Sequence, residues 1–428
     1  MKITTGYNFK NWARNIQNKS QYYCQPETEE EIIELIRKYA KIRVVGTGHS
    51  WSALCESEEL LINLDKFNKV ISFDKAQETI RVQAGIKLYQ LNELLDKEGF
   101  ALINLGSIAK QSLAGAIATG THGSGIAFQC LASQVLEFNL INANGEKITY
   151  NKEEEAFNAA IIGLGCLGVI TEMTLKVTKA FRLHDQTYTY TFDEVIEHLD
   201  TYLQYDHFKL WWFPPTKEVV VYTYTRTQQE SNDSKIRKIL KDDILSVWAY
   251  RILVKVGNLV NKWRNPINRF LTGQMKGPLD RIEKSFLVFN VPEPPKHRET
   301  EWAFDIKNAK EILKGYQQLF TESDFTFNFI QEIRFTKGDE FWLSECYGRD
   351  SIWIGAYNHE DEQWDNILKT FETFAMQHHG RPHWGKEFNV SKEYLEANYP
   401  KYKDFIMHKE QADPNEKFSN NIIKKLFC

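Results

Sequence analysis

Residues Arg43–Ser52 read RVVGTGHSWS. A buried strand, IRVVG, runs into Gly46-Thr47-Gly48, where glycines let the backbone turn sharply and approach a ligand closely. Successive backbone N–H groups in such a turn form a nest suited to a diphosphate. Ser50 follows the turn and His49 stands at its tip. Alone, a Gly-x-Gly-His turn also fits a purely structural bend. Upstream, TEEEIIELIRKYAK is a helix, with Thr28 as N-cap and Glu31 three positions on. Downstream, LLINLD and TIRVQAG read as short strands, and LYQLNELLDKEG as an amphipathic helix closed by Gly99.

A second segment, Leu105–Gly125, reads LGSIAKQSLAGAIATGTHGSG. Chain so poor in large side chains cannot fill a core; it lets something large lie against the backbone. Ser107, Ser112, Thr119, Thr121, His122 and Ser124 supply donors. A tightly packed glycine loop is the plainer alternative, and two such loops within 80 residues favour a cofactor site. A hairpin follows (VLEFNLINANGEKITY, turning at Asn144-Gly145), then a helix (EEEAFNAAIIG) and a long alternating strand (VITEMTLKVTKAF). Between the last two, GLGCLG at 163–168 matches GxGxxG. It follows a helix and precedes a strand, the reverse of the Rossmann order, so it reads as a helix stop and tight crossover.

The texture changes near residue 179. WWFPP and VVVYTYTR are strand-like, and a basic helical stretch runs from Lys235 to about Gly273. Strands follow around FLVFNVP, FTFNFIQEIRF and SIWIGAY, with helices near Asn308–Leu319 and over DEQWDNILKTFETFAMQHHG. RPHWGKEF and a charged tail close the chain. On the QEIR strand Glu332 and Arg334 point to one face; a cross-strand surface ion pair is the plain alternative. His383, Trp384 and Lys386 crowd a loop that no helix can cross. His378, His379 and His383 do not make a metal site, since Gly380 and Pro382 break the helix their spacing needs.

The length, 428 residues, suggests two domains, and the element order reads as α+β. A net charge of −4 and a pI of about 6.3 give nucleic acid no global attraction. The six cysteines are scattered without a CxxC pair, which fits a reducing compartment. The polar N-terminus lacks an apolar h-region and no long apolar run occurs, so a cytoplasmic location is expected.

NWARN (11–15), RVVGTGHSW, IATGTHGSG, GLGCLGVITEMTLKV, the EIR strand, RPHWGKEF and DPNEKF (413–418), in this order, resemble the vanillyl-alcohol oxidase class of FAD enzymes. Within that class they are most similar to the aldonolactone and alditol oxidases. The resemblance implies a two-domain FAD-binding fold of PCMH type. Its expected parts are a flavin domain over 1–178, a cap over 179–376 built on a large antiparallel sheet covered by helices, and a segment, 377–428, returning to the flavin domain. It implies FAD joined covalently to His49. The cofactor would be held by Gly46 to Ser50, Gly106, Ser107, Ser112, Gly115, Thr119, Gly120, Thr121, His122, Ile170 and His383. Glu332, Arg334 and Lys386 would be catalytic and, with Ser107, bind a polyol or sugar lactone.

The implied chemistry is hydride transfer from a carbinol carbon to the flavin. Lys386 or Glu332 would engage the hydroxyl, and Arg334 would offset charge on the reduced ring. Gly106 resembles a position that gates oxygen, so O₂ is the expected acceptor. The alternative is a dehydrogenase serving a quinone or other acceptor; a non-catalytic protein that kept the fold is a third possibility. Two departures bear on the substrate. Ala109-Lys110-Gln111-Ser112 stands where many relatives have PHIS, and Gly355-Ala356-Tyr357 where many have an HFT-like strand. The basic stretch from 235 to 273, with Trp248, Trp263 and Phe270, reads as an amphipathic cap helix packing its apolar face on the cap sheet; a helix lying on a membrane surface is the alternative.

Overall fold

The computed structural model describes residues 1–232, 246–274, 279–359 and 363–428. The strand that leads to His49, Ile42–Val45, lies in a four-stranded sheet beside Leu60–Asn63, Gln17–Cys24 and Ile3–Lys10. It runs parallel to Leu60–Asn63, and helix Glu29–Lys38 covers the crossover into it. Thr28 caps that helix, accepting from the Glu31 amide. The opening hairpin, Ile3–Lys10 with Gln17–Cys24, is absent from the sequence reading, because ITTGYNFK and QNKSQYYC leave half of their side chains exposed and carry no clean apolar alternation.

A second, five-stranded antiparallel sheet has the order Val70–Asp74, Thr79–Gln83, Val169–Lys176, Val135–Ile141, Lys147–Asn151. In its central strand Val169, Thr171, Met173 and Leu175 are buried, the period-2 pattern expected of VITEMTL.

The largest sheet has eight antiparallel strands, in the order Leu279–Lys284, Arg182–Thr191, Glu218–Thr227, His207–Trp212, Gln331–Thr336, Ser351–Asn358, Arg298–Asp305, Arg381–Pro382. Its two faces differ in chemistry. Leu210, Trp212, Ile333, Phe335, Ile352, Ile354, Trp302 and Phe304 form an apolar face under helices Phe192–Glu197, Ala309–Thr321 and Trp364–Gln377. Tyr316 and Phe192 meet Trp212 edge-on at 5.4 and 5.1 Å. On the opposite face the same strands carry Lys209, Glu332, Arg334, Trp353, Tyr357, Glu299 and Glu301. The register sets Lys209 across from Arg334, Arg334 across from Trp353, and Glu299 across from Tyr357.

Several expectations need correction. FLVFNVP is not a strand: Ser285–Phe289 is a short helix that buries Val288 and Phe289, since a short apolar run does not specify its own period. The strand at FTFNFIQEIRF begins only at Gln331. The charged tail forms helices Lys392–Asn398, Tyr402–Ala412 and Asn421–Phe427. It holds the His49 strand: Ile42 N–H donates to Lys417 O at 2.8 Å, and Asn420 Nδ2 donates to Ala53 O and Glu56 O.

The basic stretch is also different. Its part at 235–245 and the Trp248 side chain lie outside the described residues. Helices Ser246–Leu259 and Arg264–Gln274 follow, joined by a turn at Asn261–Trp263; Val254 and Ile267 are buried, while Ile252, Val256, Leu259, Trp263 and Phe270 are exposed to solvent rather than packed on the cap sheet.

Candidate active site

Two glycine-rich turns, separate in sequence, meet in one cleft that opens to solvent. Gly46 to Ser50 form one wall. Ser112, Gly115, Thr119 and Ile170 line the other side. The turns touch so closely that a Cβ on Gly46 would lie 1.9 Å from Ser112 Oγ. Gly48 has φ +72°, and a Cβ there would meet the Phe9 ring at 2.9 Å. The asparagines of NWARN clamp this turn: Asn11 Nδ2 donates to Ser50 O and Asn15 Nδ2 to Trp51 O, both at 2.9 Å.

The GLGCLG loop also lines the cleft, through Leu164, Gly165 and Gly168. Its exclusion as a Rossmann turn holds, since helix Glu155–Ala160 precedes it and strand Val169–Lys176 follows. Arg43 ties it in place. This buried guanidinium donates to Leu54 O at 2.7 Å, Leu164 O at 2.7 Å, Gly165 O at 2.8 Å and Phe418 O. The one carboxylate in the described lining, Asp65, is paired with Lys87. A diphosphate in this cleft therefore meets backbone amides and hydroxyls and no free carboxylate. The residues fit an extended dinucleotide such as FAD.

His49 has partners at both ring nitrogens. Nδ1 lies 3.0 Å from Thr47 Oγ1 and Nε2 lies 3.1 Å from Glu293 Oε1. Burial lowers the imidazole below its ordinary value, although the Glu293 carboxylate works against this. Burial pushes Glu293 up, but Lys110 at 2.8 Å and His49 outweigh it and hold the carboxyl low. The His49 turn is joined to the HWGK loop: Trp51 N–H donates to Gly385 O at 2.8 Å and Ser52 Oγ to Trp384 O at 2.6 Å.

The polar face of the large sheet carries a buried charge network. Glu332 is bonded to Arg334, to Lys209 Nζ at 3.1 Å and to Trp211 Nε1 at 3.0 Å. It is no surface ion pair, since Glu332 is only 7% exposed. Burial alone would raise its pKa; Arg334 first, then Lys209, hold it at about 2. Arg334 reaches on to Ser107 Oγ at 2.9 Å. Lys386 pairs with Glu299 and lies 4.3 Å over the Trp51 ring. Between these groups sits buried Glu301, whose carboxyl is held low: burial opposes this, but His122, Lys386 and Arg334 prevail.

Burial keeps His383 neutral, and its Nδ1 accepts from the Gly385 amide at 3.0 Å, so its proton is on Nε2. Among the described residues, His122, Glu301 and His383 form the one trio with ligand atoms close enough for a metal, within 4.8 Å. His378 and His379 are not in it. The positive charges of Arg334 and Lys386 already act on Glu301 and disfavour a cation there.

Residues 173–426 match the family described as D-arabinono-1,4-lactone oxidase, and residues 20–151 match an FAD binding domain. The chain belongs to the D-arabinono-1,4-lactone oxidase family. It is an FAD-dependent oxidoreductase acting on CH–OH groups. Among its relatives, L-gulonolactone oxidase of Scyliorhinus torazame is 32% identical over 99% of both chains. L-gulono-1,4-lactone dehydrogenase of Mycobacterium tuberculosis is 26% identical over 98% of each. Cholesterol oxidase from B. sterolicum shares the fold, with a TM-score of 0.85 at 16% identity, over 100% of this chain and 97% of that one.

In this family member the sequence-predicted residues fall into two groups. Gly46, Thr47, Gly48, His49, Ser50, Ser112, Gly115, Thr119 and Ile170 line the glycine-rich cleft. Gly106, Ser107, Gly120, Thr121, His122 and His383 do not line it. Ser107 and Arg334 border a smaller cavity with Lys209, His207 and Tyr224. Gly120 packs on Glu345, where a Cβ would come within 2.5 Å of its carboxylate. A Cβ on Gly106 would approach His122 O and the Thr121 methyl at 3.1 Å, so close packing of two loops accounts for this glycine. Sequence reasoning missed Arg43, Lys209, Glu293, Glu299 and Glu301. Glu299 and Glu301 had a signal, since carboxylates two apart on a strand share a face; Glu293 lies in an irregular, proline-rich stretch and had none.

Proposed function

We propose that the chain oxidises a hydroxyl of an aldonolactone or related alditol, with FAD covalently bound through His49 and O₂ as acceptor. The carrying observation is the buried charged row on the large sheet, Lys209, Glu332, Arg334, Glu299 and Glu301, joined to the His49 turn through Trp51 and Lys386. Gly46 to Ser50, Ser112, Gly115 and Thr119 would hold FAD, which would supply the two-electron oxidation of the carbinol and the reduction of O₂ to hydrogen peroxide.

The residues divide the remaining work. A carboxyl held at about 2 is a weak base, so Glu332 acts as an ionised acceptor for substrate hydroxyls rather than as the group that removes a proton. Arg334, charged and fixed by Ser107 and Glu332, would offset the negative charge that develops on reduction. Lys386, oriented by Glu299, engages the reacting hydroxyl and relays its proton to the Glu299 carboxylate. Glu293 orients the His49 ring for the covalent bond. The division of labour follows the proposed domains: 1–178 for the cofactor, 179–376 for the substrate, 377–428 returning Lys386 to the flavin side.

The relatives' names support a lactone substrate, and the family's own description supports the oxidase. The test is a peroxide-coupled screen of the purified yellow protein against aldonolactones and alditols, run beside a dye-reduction assay. Lactone-dependent peroxide supports the reading. Dye reduction without peroxide replaces the oxidase by a dehydrogenase, the activity in the name of the Mycobacterium tuberculosis relative.

A further inference from the structure

Helices Ser246–Leu259 and Arg264–Gln274 are turned inside out for a cover on a protein core. Much of what they bury is polar. Arg264 Nε donates to Gly257 O at 3.0 Å and Nη1 to Thr326 O at 3.1 Å. Asn268 Nδ2 donates to Pro214 O at 2.6 Å and Phe327 O at 2.9 Å. The helices and the turn between them expose large apolar side chains: Ile252, Val256, Leu259, Val260, Trp263 and Phe270. Leu259 is 84% exposed, and Ile252, Trp263 and Phe270 are each more than half exposed. Six of the thirteen exposed large hydrophobic side chains among the described residues thus fall within one short stretch. A patch of this kind marks an interaction surface.

The charge around the patch says what covers it. Residues 246–274 contain no Asp or Glu, while Arg251, Lys255, Lys262 and Arg269 are exposed beside the apolar side chains. The chain as a whole carries −4. A second copy seated isologously would set these cations against themselves. An anionic lipid surface matches both features, apolar side chains for the acyl boundary and cations for the headgroups. The two helices have 14 and 11 residues, and no helix among the described residues is long and apolar enough to cross a membrane.

We propose that the 246–274 helical pair is a membrane-docking surface that lies on anionic bilayers, with Leu259, Trp263 and Phe270 inserted at the headgroup boundary. The test uses the FAD-loaded full-length protein and sedimentation with vesicles of phosphatidylcholine, alone or with phosphatidylglycerol. Binding is expected to the anionic vesicles, at least tenfold weaker to neutral ones, and to weaken as salt shortens the Debye length. The triple change Leu259→Ser, Trp263→Ser, Phe270→Ser lowers binding at least tenfold with flavin content and melting temperature unchanged. Should that variant fold poorly, Lys255→Glu with Lys262→Glu is expected to give the same loss. Equal binding to both vesicle types, no binding by the wild type, or variants that bind like wild type overturn the proposal. So does light scattering that shows a dimer which either variant converts to monomer, since the occupant is then a second copy.

Discussion

Glu332→Gln removes the carboxylate that lies between two buried cations. Glu332 sits at about 2 against an ordinary 4.5. That lowering corresponds to about 3 kcal/mol of stability at pH 7, at about 1.4 kcal/mol per unit. Loss of one member of a buried pair gives about the same, 3–5 kcal/mol, because Arg334 and Lys209 are left uncompensated. A depressed carboxyl stabilises above its unfolded value and loses that contribution as pH falls through its folded value. The gap between wild type and Glu332→Gln should therefore be full at pH 7 and drop to roughly 1 kcal/mol at pH 3. For a cooperative unit of 150–250 residues, 3 kcal/mol lowers the melting temperature by about 6–12 °C. Paired thermal scans at the two pH values measure this. Equal melting temperatures at pH 7, or a gap that stays constant down to pH 3, would refute the buried-network reasoning.

Three further changes probe the site. Lys386→Met should slow flavin reduction by substrate at least a hundredfold and leave FAD bound, a split that rapid-mixing absorbance and flavin content report separately. Arg43→Met strands four carbonyls and should destabilise the glycine-rich cleft by on the order of 4 kcal/mol, seen as a lower melting temperature. Glu293→Gln removes the carboxylate beside His49 Nε2 and should leave a larger share of flavin in the supernatant after acid precipitation; unchanged covalent loading would remove Glu293 from that role.

Much of the glycine-rich cleft was readable from sequence because its signal is local. RVVGTGHSWS and the Leu105–Gly125 segment carry glycines and small residues whose conformational meaning does not depend on partners, and the structure brings both to one cleft. The substrate side was less legible. Glu332 and Arg334 are neighbours on one strand, so their shared face followed from spacing. Lys209, Glu299 and Glu301 reach them only through the order of strands in the large sheet, which no local pattern encodes. Residues 246–274 failed for another reason. An amphipathic period gives a helix with two faces and does not say which face turns inward. Here Arg264 and Asn268 bond the cap backbone, and Trp263 and Phe270 are left outside.

On the proposed function, a flavin held at His49 is reduced by a sugar lactone and reoxidised by air. The direct measurement is anaerobic mixing of the purified protein with L-gulono-1,4-lactone or D-arabinono-1,4-lactone, followed by admission of oxygen. The yellow absorbance is expected to bleach with lactone and return with oxygen, with one peroxide formed per flavin turned over. A flavin that stays oxidised with every aldonolactone and alditol would contradict it.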